Sequence, residues 1–98
     1  MFGTVMRARV KPDQRDRFLE WLRTYEARRH PDGFESTELA WEDRDPNRVV
    51  MVVHFRDRES YTANAASTEQ DQEYRQMRDY LDGDPEWIDV RFERTESP

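Results

Sequence analysis

Apolar residues recur along this chain with two different periods, and the switch between periods divides it into elements. From Phe2 to Val10 they alternate. Phe2, Met6, Ala8 and Val10 fall on one face and Val5, Arg7 and Arg9 on the other, the two-residue period of a half-buried strand. Lys11-Pro12-Asp13 closes that strand, and Pro suits the first turn of a helix. From Asp13 to Arg29 the period lengthens: Phe18, Trp21, Leu22 and Tyr25 recur at three- and four-residue steps, which predicts an amphipathic helix. Arg28, Arg29 and His30 put positive charge at its C-terminal end, and Pro31-Asp32-Gly33 stops it. Phe34 to Glu42 predicts a second strand, with Leu39 and Trp41 on one face and Ser36, Glu38 and Ala40 on the other. The turn composition of residues 43–47 joins it to a third strand, Val49 to Phe55, as a hairpin.

That third strand carries the longest apolar run in the chain, Val49 to Val53, and so needs cover on both faces. Helical spacing returns from Arg58 with Tyr61 and Ala65. It stutters at Ser67-Thr68, where Ser67 and Gln70 match a capping box and predict a fresh helix start. Tyr74, Met77 and Leu81 continue the stripe until residues 82–85 end it. Glu86 to Arg94 predicts the last strand, with Ile88, Val90 and Phe92 facing the core and Trp87, Asp89 and Arg91 facing away. The last four residues, 95–98, are expected to fray. The order is βαββαβ, an α+β, ferredoxin-like arrangement in which two helices cover one face of an antiparallel sheet. The other face would then carry Val5 and Trp87 beside charged residues, too apolar for open water. Two copies packed sheet to sheet would shelter it, which predicts a homodimer.

Length sets the scale of the core: 98 residues make a single domain, 1–98, with little apolar material to spare. Only 35% of residues are hydrophobic and 39% are charged, but three Trp, four Tyr and five Phe supply the burial that a disordered chain lacks. The net charge of −6 disfavours nucleic acid as a partner. With no Cys, disulfides, thiolate metal sites and thiol nucleophiles are excluded. No stretch has the form of a signal peptide or a membrane span, which points to the cytoplasm. The two His residues stand far apart with no carboxylate at ligand spacing, so no metal site is expected. Three Gly in all leave no phosphate-binding loop.

Three stretches, Val10-Lys11-Pro12, Pro31-Asp32-Gly33-Phe34 and Phe55-Arg56-Asp57-Arg58-Glu59-Ser60-Tyr61, resemble the antibiotic biosynthesis monooxygenase superfamily over roughly residues 3–93. Many of its members have a strand, an aromatic residue that is usually Trp, a polar residue and Ser, then a helix bearing an aromatic. Here Phe55 takes the Trp position, Asp57 the Ser position and Tyr61 that of the helical aromatic. The resemblance implies a dimeric α+β barrel. It also implies, without a cofactor, oxygenation of a phenolic, quinol-like or polyketide-type aromatic whose own anion reacts with oxygen. The chain departs from the family pattern at Asn64, where a His is common. The haem-degrading branch uses a first-strand Asn, the Trp and that His as iron ligand. The corresponding positions here hold Val5 or Met6, Phe55 and Asn64, which do not fit that chemistry. The loss of both the Trp and the His equally admits a protein that binds a small ligand without reacting with it.

Such a reaction asks for a dry aromatic pocket, a group that assists deprotonation and a donor for an oxyanion. Asn64 is the candidate donor, although an Asn on a helix also commonly bonds nearby backbone. Tyr61 is the candidate phenol, and Tyr61 and Tyr74, like Tyr80, would line a pocket or pack the core. His54 is the natural base near neutral pH, but alternation turns it to the face opposite Phe55, toward the expected dimer interface. Phe55, Trp41, Trp87 and Tyr74 are the candidate substrate-binding side chains, with barrel filling the ordinary role of such aromatics.

Overall fold

A computed structural model describes residues 1–28, 30–94 and 96–97. The elements are β1 (Phe2–Arg9), α1 (Arg15–Arg28), β2 (Phe34–Trp41), β3 (Arg48–Phe55), α2 (Arg58–Ala65), α3 (Thr68–Arg78) and β4 (Glu86–Arg91). They form one antiparallel sheet in the order β2-β3-β1-β4. This is the expected βαββαβ arrangement, with its second helix in two pieces.

α1 begins at Arg15, two residues later than the hydrophobic spacing predicts. Asp13 has φ 71, in the left-handed region, so it belongs to the turn that Gln14 N–H closes on the Lys11 carbonyl, 3.0 Å away. The expected C-terminal Arg29 lies outside the described residues. α2 starts at Asp57, whose carboxylate accepts the Ser60 N–H at 2.9 Å. That bond holds the Asp57 carboxyl below its ordinary range and makes Asp57 the N-cap of α2. The break between α2 and α3 stands where Ser67 predicts it. The Ser67 hydroxyl donates to the Asn64 carbonyl at 2.7 Å and accepts the Gln70 N–H at 3.1 Å, which ends one helix and starts the next.

The helices cover the face on which Met6, Ala8, Val49, Met51 and Phe55 are buried, together with Phe18, Leu22, Met77 and Leu81. Each of these side chains larger than Ala8 contributes about 1.5–3 kcal/mol by leaving water. At one end the core is closed by aromatic rings. Phe18 meets Trp41, Trp21 and Tyr80 at centroid distances of 6.2, 6.3 and 6.2 Å, and the Arg15 guanidinium lies over Trp41 at 4.2 Å.

β4 faces the opposite way from the sequence expectation. Its register sets Trp87 beside Met6, Asp89 beside Thr4 and Arg91 beside Phe2, so these three point toward the helices. Ile88, beside Val5, and Val90, beside Gly3, point to the uncovered face, and Phe92 stacks on His54 there at 4.1 Å. The alternation along β4 is real, but nothing in the strand's own sequence says which half of it meets the helices. The uncovered face is therefore more apolar than expected. Val5, Val50, Val52 and Ile88 stand together on it, and Ile88 is 53% exposed. Arg7 pairs with Glu42 at 3.2 Å and Arg9 with Asp45 at 2.7 Å beside that patch.

The Pro31–Phe34 turn is stapled to the start of α2. Gly33 has φ +80, and its carbonyl accepts the Arg56 N–H at 2.7 Å. A Cβ at Gly33 would run into the Ser60 side chain, whereas one at Gly83, φ +92, would meet open space. Both positions therefore carry backbone strain on substitution, and Gly33 alone adds a clash. Gly83→Ala is expected to cost about 1 kcal/mol and Gly33→Ala about 3 kcal/mol. In urea unfolding, a Ser60→Gly background should recover the steric part of the Gly33→Ala loss.

Candidate functional site

Between the sheet and the three helices lies a cavity of about 620 Å³, within the roughly 300–1,000 Å³ of small-molecule sites. Its floor is Thr4, Met51, Val53 and Phe55 on the sheet, with Trp87 reaching in from β4. Leu22 and Tyr25 of α1 form one wall, and Tyr74 and Met77 of α3 another. Asn64 and Gln70 flank the helix break.

Of the residues expected at the site, Asn64, Tyr61, Phe55, Trp87 and Tyr74 all border this cavity. Trp87 does so because β4 has the inverted facing described above. Trp41 does not border it, since it packs on Phe18 under Arg15 at the far end of the core. His54 does not border it either. It lies on the uncovered face, with Nε2 3.1 Å from Glu38 Oε1 and its ring on Phe92. His30, by contrast, is at the cavity edge. Tyr80 packs against Phe18 and Trp21.

Tyr61 is the best-defined polar group. Its ring leans on Phe55 and Phe2, at 5.5 and 5.2 Å, and its hydroxyl donates to Asp89 Oδ1 at 2.7 Å. Burial, reinforced by the bond to Asp89 and opposed by the neighbouring Thr4 hydroxyl, pushes the phenol up to about 12. Tyr61 thus keeps its proton across the physiological range. Thr4, only 3% exposed, donates from its hydroxyl to the Ile88 carbonyl at 3.1 Å. Asn64 Nδ2 donates to Gln70 Oε1 at 3.1 Å across the helix break. Among the groups that sequence reasoning missed are Thr4, which borders the cavity, and Asp89, which bonds Tyr61 from outside its lining. Thr4 shares the period of Phe2 and Met6, which would have placed it on the covered face; Asp89 required the register of β4.

Among the described residues no group of three or more His, Cys, Asp or Glu side chains stands close enough to hold a metal ion, and no helix is long and apolar enough to cross a membrane.

The architecture is thus a ferredoxin-like α+β domain with an aromatic-walled cavity between helices and sheet. The profile described as antibiotic biosynthesis monooxygenase matches residues 1–79, and the chain belongs to that family. Similar solved structures include a conserved protein from Methanosarcina mazei Go1, with 19% identity, a TM-score of 0.78 and coverage of 92% of this chain and 90% of that one. Rv0793 from Mycobacterium tuberculosis is 18% identical with a TM-score of 0.77, covering 98% of each chain. A variant of SnoaB, a cofactor-independent oxygenase from Streptomyces nogalater, is 18% identical with a TM-score of 0.77, covering 96% of this chain and 94% of that one. At these identities the likeness establishes the fold. No curated protein sequence matches the chain.

The raised Tyr61 has a signature in alkali. Tyrosinate absorbance should show a late step near 12, and Tyr61→Phe should remove that step. Since the folded value lies above the unfolded one, Tyr61 contributes stability that is complete below pH 10 and lost as pH rises through about 12. In Asp89→Ala the late step should move down yet stay above the ordinary value, because burial is the larger cause.

Proposed function

We propose that this chain is a cofactor-independent monooxygenase acting on a phenolic, quinol-like or polyketide-type aromatic held in the cavity. The observation that carries the reading is the cavity itself: aromatic walls at Phe55, Trp87 and Tyr74 enclose space that the chain's own side chains leave unfilled. Family membership and the fold shared with the oxygenase SnoaB support it. For an anthrone the reaction balances without any added reductant. The ring methylene loses two hydrogens and gains one oxygen atom as a carbonyl, and the second oxygen atom leaves with those hydrogens as water. The substrate's four electrons reduce O₂ fully. The protein then needs to exclude water, orient the ring and handle the proton lost from the substrate. Phe55, Trp87 and Tyr74 would do the first two, and Tyr61 and Asn64 would contact the substrate's oxygen atoms.

The same reading makes the chain a homodimer packed through the uncovered sheet face. Val5, Val50, Val52 and Ile88 form a patch there that water does not favour, and the ion pairs of Arg7 and Arg9 would frame it. A second reading, a dimer that binds a small aromatic without oxidising it, draws on Tyr61, whose proton is already engaged by Asp89, and on the position of His54 outside the cavity.

Oxygen uptake with a panel of quinols and anthrones separates the two. Turnover that falls at least tenfold in both Asn64→Ala and Tyr61→Phe is the expected outcome. Binding without uptake would select the second reading, and neither binding nor uptake would remove both. Light scattering after gel filtration should report a dimer, and Ile88→Glu should shift it toward monomer.

A further inference from the structure

Among the hydroxyl-bearing residues that line the cavity, Tyr61 from α2 and Thr4 from β1 are both bonded to β4, and each has one proton to give. The phenol proton of Tyr61 goes to Asp89 Oδ1 at 2.7 Å, a short bond to a charged acceptor. The Thr4 proton goes to the Ile88 carbonyl at 3.1 Å. Should Thr4 turn instead toward the adjacent Tyr61 oxygen, its proton is still spent within the wall. Neither hydroxyl then has a proton left for a ligand, while unused lone pairs remain on both oxygens. Asp89 is what enforces this. It stands on β4, points to the helix side of the sheet beside Thr4, and as a carboxylate can only accept.

We propose that Asp89 is a positioning residue that makes this end of the cavity acceptor-only, so that the site requires a hydroxyl or N–H donor on the ligand at that point and rejects a carbonyl or an alkylated oxygen there. The inference rests on the reading of the cavity as the site of a hydroxylated aromatic, and it adds a rule for binding and release. The phenol, or the enol form of an anthrone, presents an O–H to the lone pairs of Tyr61 and Thr4. Oxidation to the quinone replaces that donor by a carbonyl oxygen, which then faces oxygen atoms with no proton between them. A buried acceptor left opposite acceptors costs binding, so the oxidised product is the more weakly held form. The discrimination needs no movement of the protein.

Three matched probes test this by equilibrium dialysis: 1-naphthol, 1-methoxynaphthalene and 1,4-naphthoquinone. The absence of cysteine removes thiol addition to the quinone as a complication. The wild-type protein should hold 1-naphthol about tenfold more tightly than either of the others, the scale of one well-placed hydrogen bond. Tyr61→Phe keeps the ring and removes one acceptor, and should cut that advantage at least threefold. Asp89→Leu frees the Tyr61 proton to turn into the cavity. There the quinone should gain affinity while 1-naphthol loses it, a reversal that a mere loss of packing would not produce. Equal binding of 1-naphthol and its methyl ether by wild type would overturn the proposal. So would an unchanged naphthol-to-quinone ratio in Asp89→Leu, with the fold verified by circular dichroism. Failure of all three probes to bind would instead overturn the aromatic reading of the cavity, and this inference with it.

Discussion

Val49, Met51 and Phe55 point from β3 into the helices, while Val50 and Val52 point from the same strand the other way, so the strand has no face that tolerates water. Its neighbours are determined by that. β1 and β2 pair along both edges of β3 and satisfy its backbone, and Met6, Ala8 and Leu39 extend its covered face sideways. The helices close that face. On the other, β1 and β4 add Val5, Ile88, Val90 and Phe92 to the β3 valines, and the apolar area grows across the sheet. A monomer leaving such a patch in solvent loses about 25 cal/mol for every Å² that a partner could remove from water. The inverted facing of β4 therefore strengthens the case for a second copy.

The covered side is divided in two along the sheet. At the end where β1 runs into α1, Val10, Phe18, Val49 and Leu81 are fully buried beneath Trp41, Trp21 and Tyr80. At the other end the cavity lies between the sheet, α1 and the α2–α3 pair, with Asn64 and Gln70 on either side of the helix break at its border. Leu22, Met51 and Met77 belong to both halves, buried in the core on one side and bordering the cavity on the other.

Period alone carried most of the architecture: the strand at Phe2, the helix around Phe18 and Leu22, the hairpin, and the helix restart at Ser67 each followed from spacing or a cap. What period could not supply is a choice between two equivalent faces. In β1 the companions of Phe2 and Met6 are unmistakably apolar, so the covered face was clear, although Thr4 was overlooked within it. In β4 the sequence Trp87 to Phe92 alternates aromatic and charged with aliphatic residues, and the aliphatic half looked like core. It is instead the half the helices do not cover, because the register with β1 sets Trp87 against Met6. That one inversion hid Asp89, brought Trp87 into the cavity for a reason the sequence did not contain, and left the uncovered face looking more charged than it is. His54 was placed correctly, since alternation against the buried Phe55 settles its side. Trp41 was placed on the correct face but at the wrong end. Strand period reports a side of the sheet and not a distance along it.

A 98-residue chain with 35% hydrophobic residues has little apolar material to leave idle, and an interior normally closes on itself to near-crystalline density. A half-open cleft of about 620 Å³ beside Phe55 and Met77 is then a standing cost, since its apolar wall stays in contact with water. Surface ion pairs do not offset that cost, because exposed pairs such as Arg75–Asp71 and Arg78–Asp84 are individually weak. Larger side chains at Thr4 or Ala65, both in the wall, would have filled part of the space. The chain instead keeps a buried hydroxyl on the floor and secures its proton, and it holds a tyrosine over the same end by a carboxylate from the far strand. A cleft in which the Thr4 and Tyr61 protons are both assigned to β4 is poorly explained by packing, and well explained by a ligand that completes both the contacts and the hydrogen bonds.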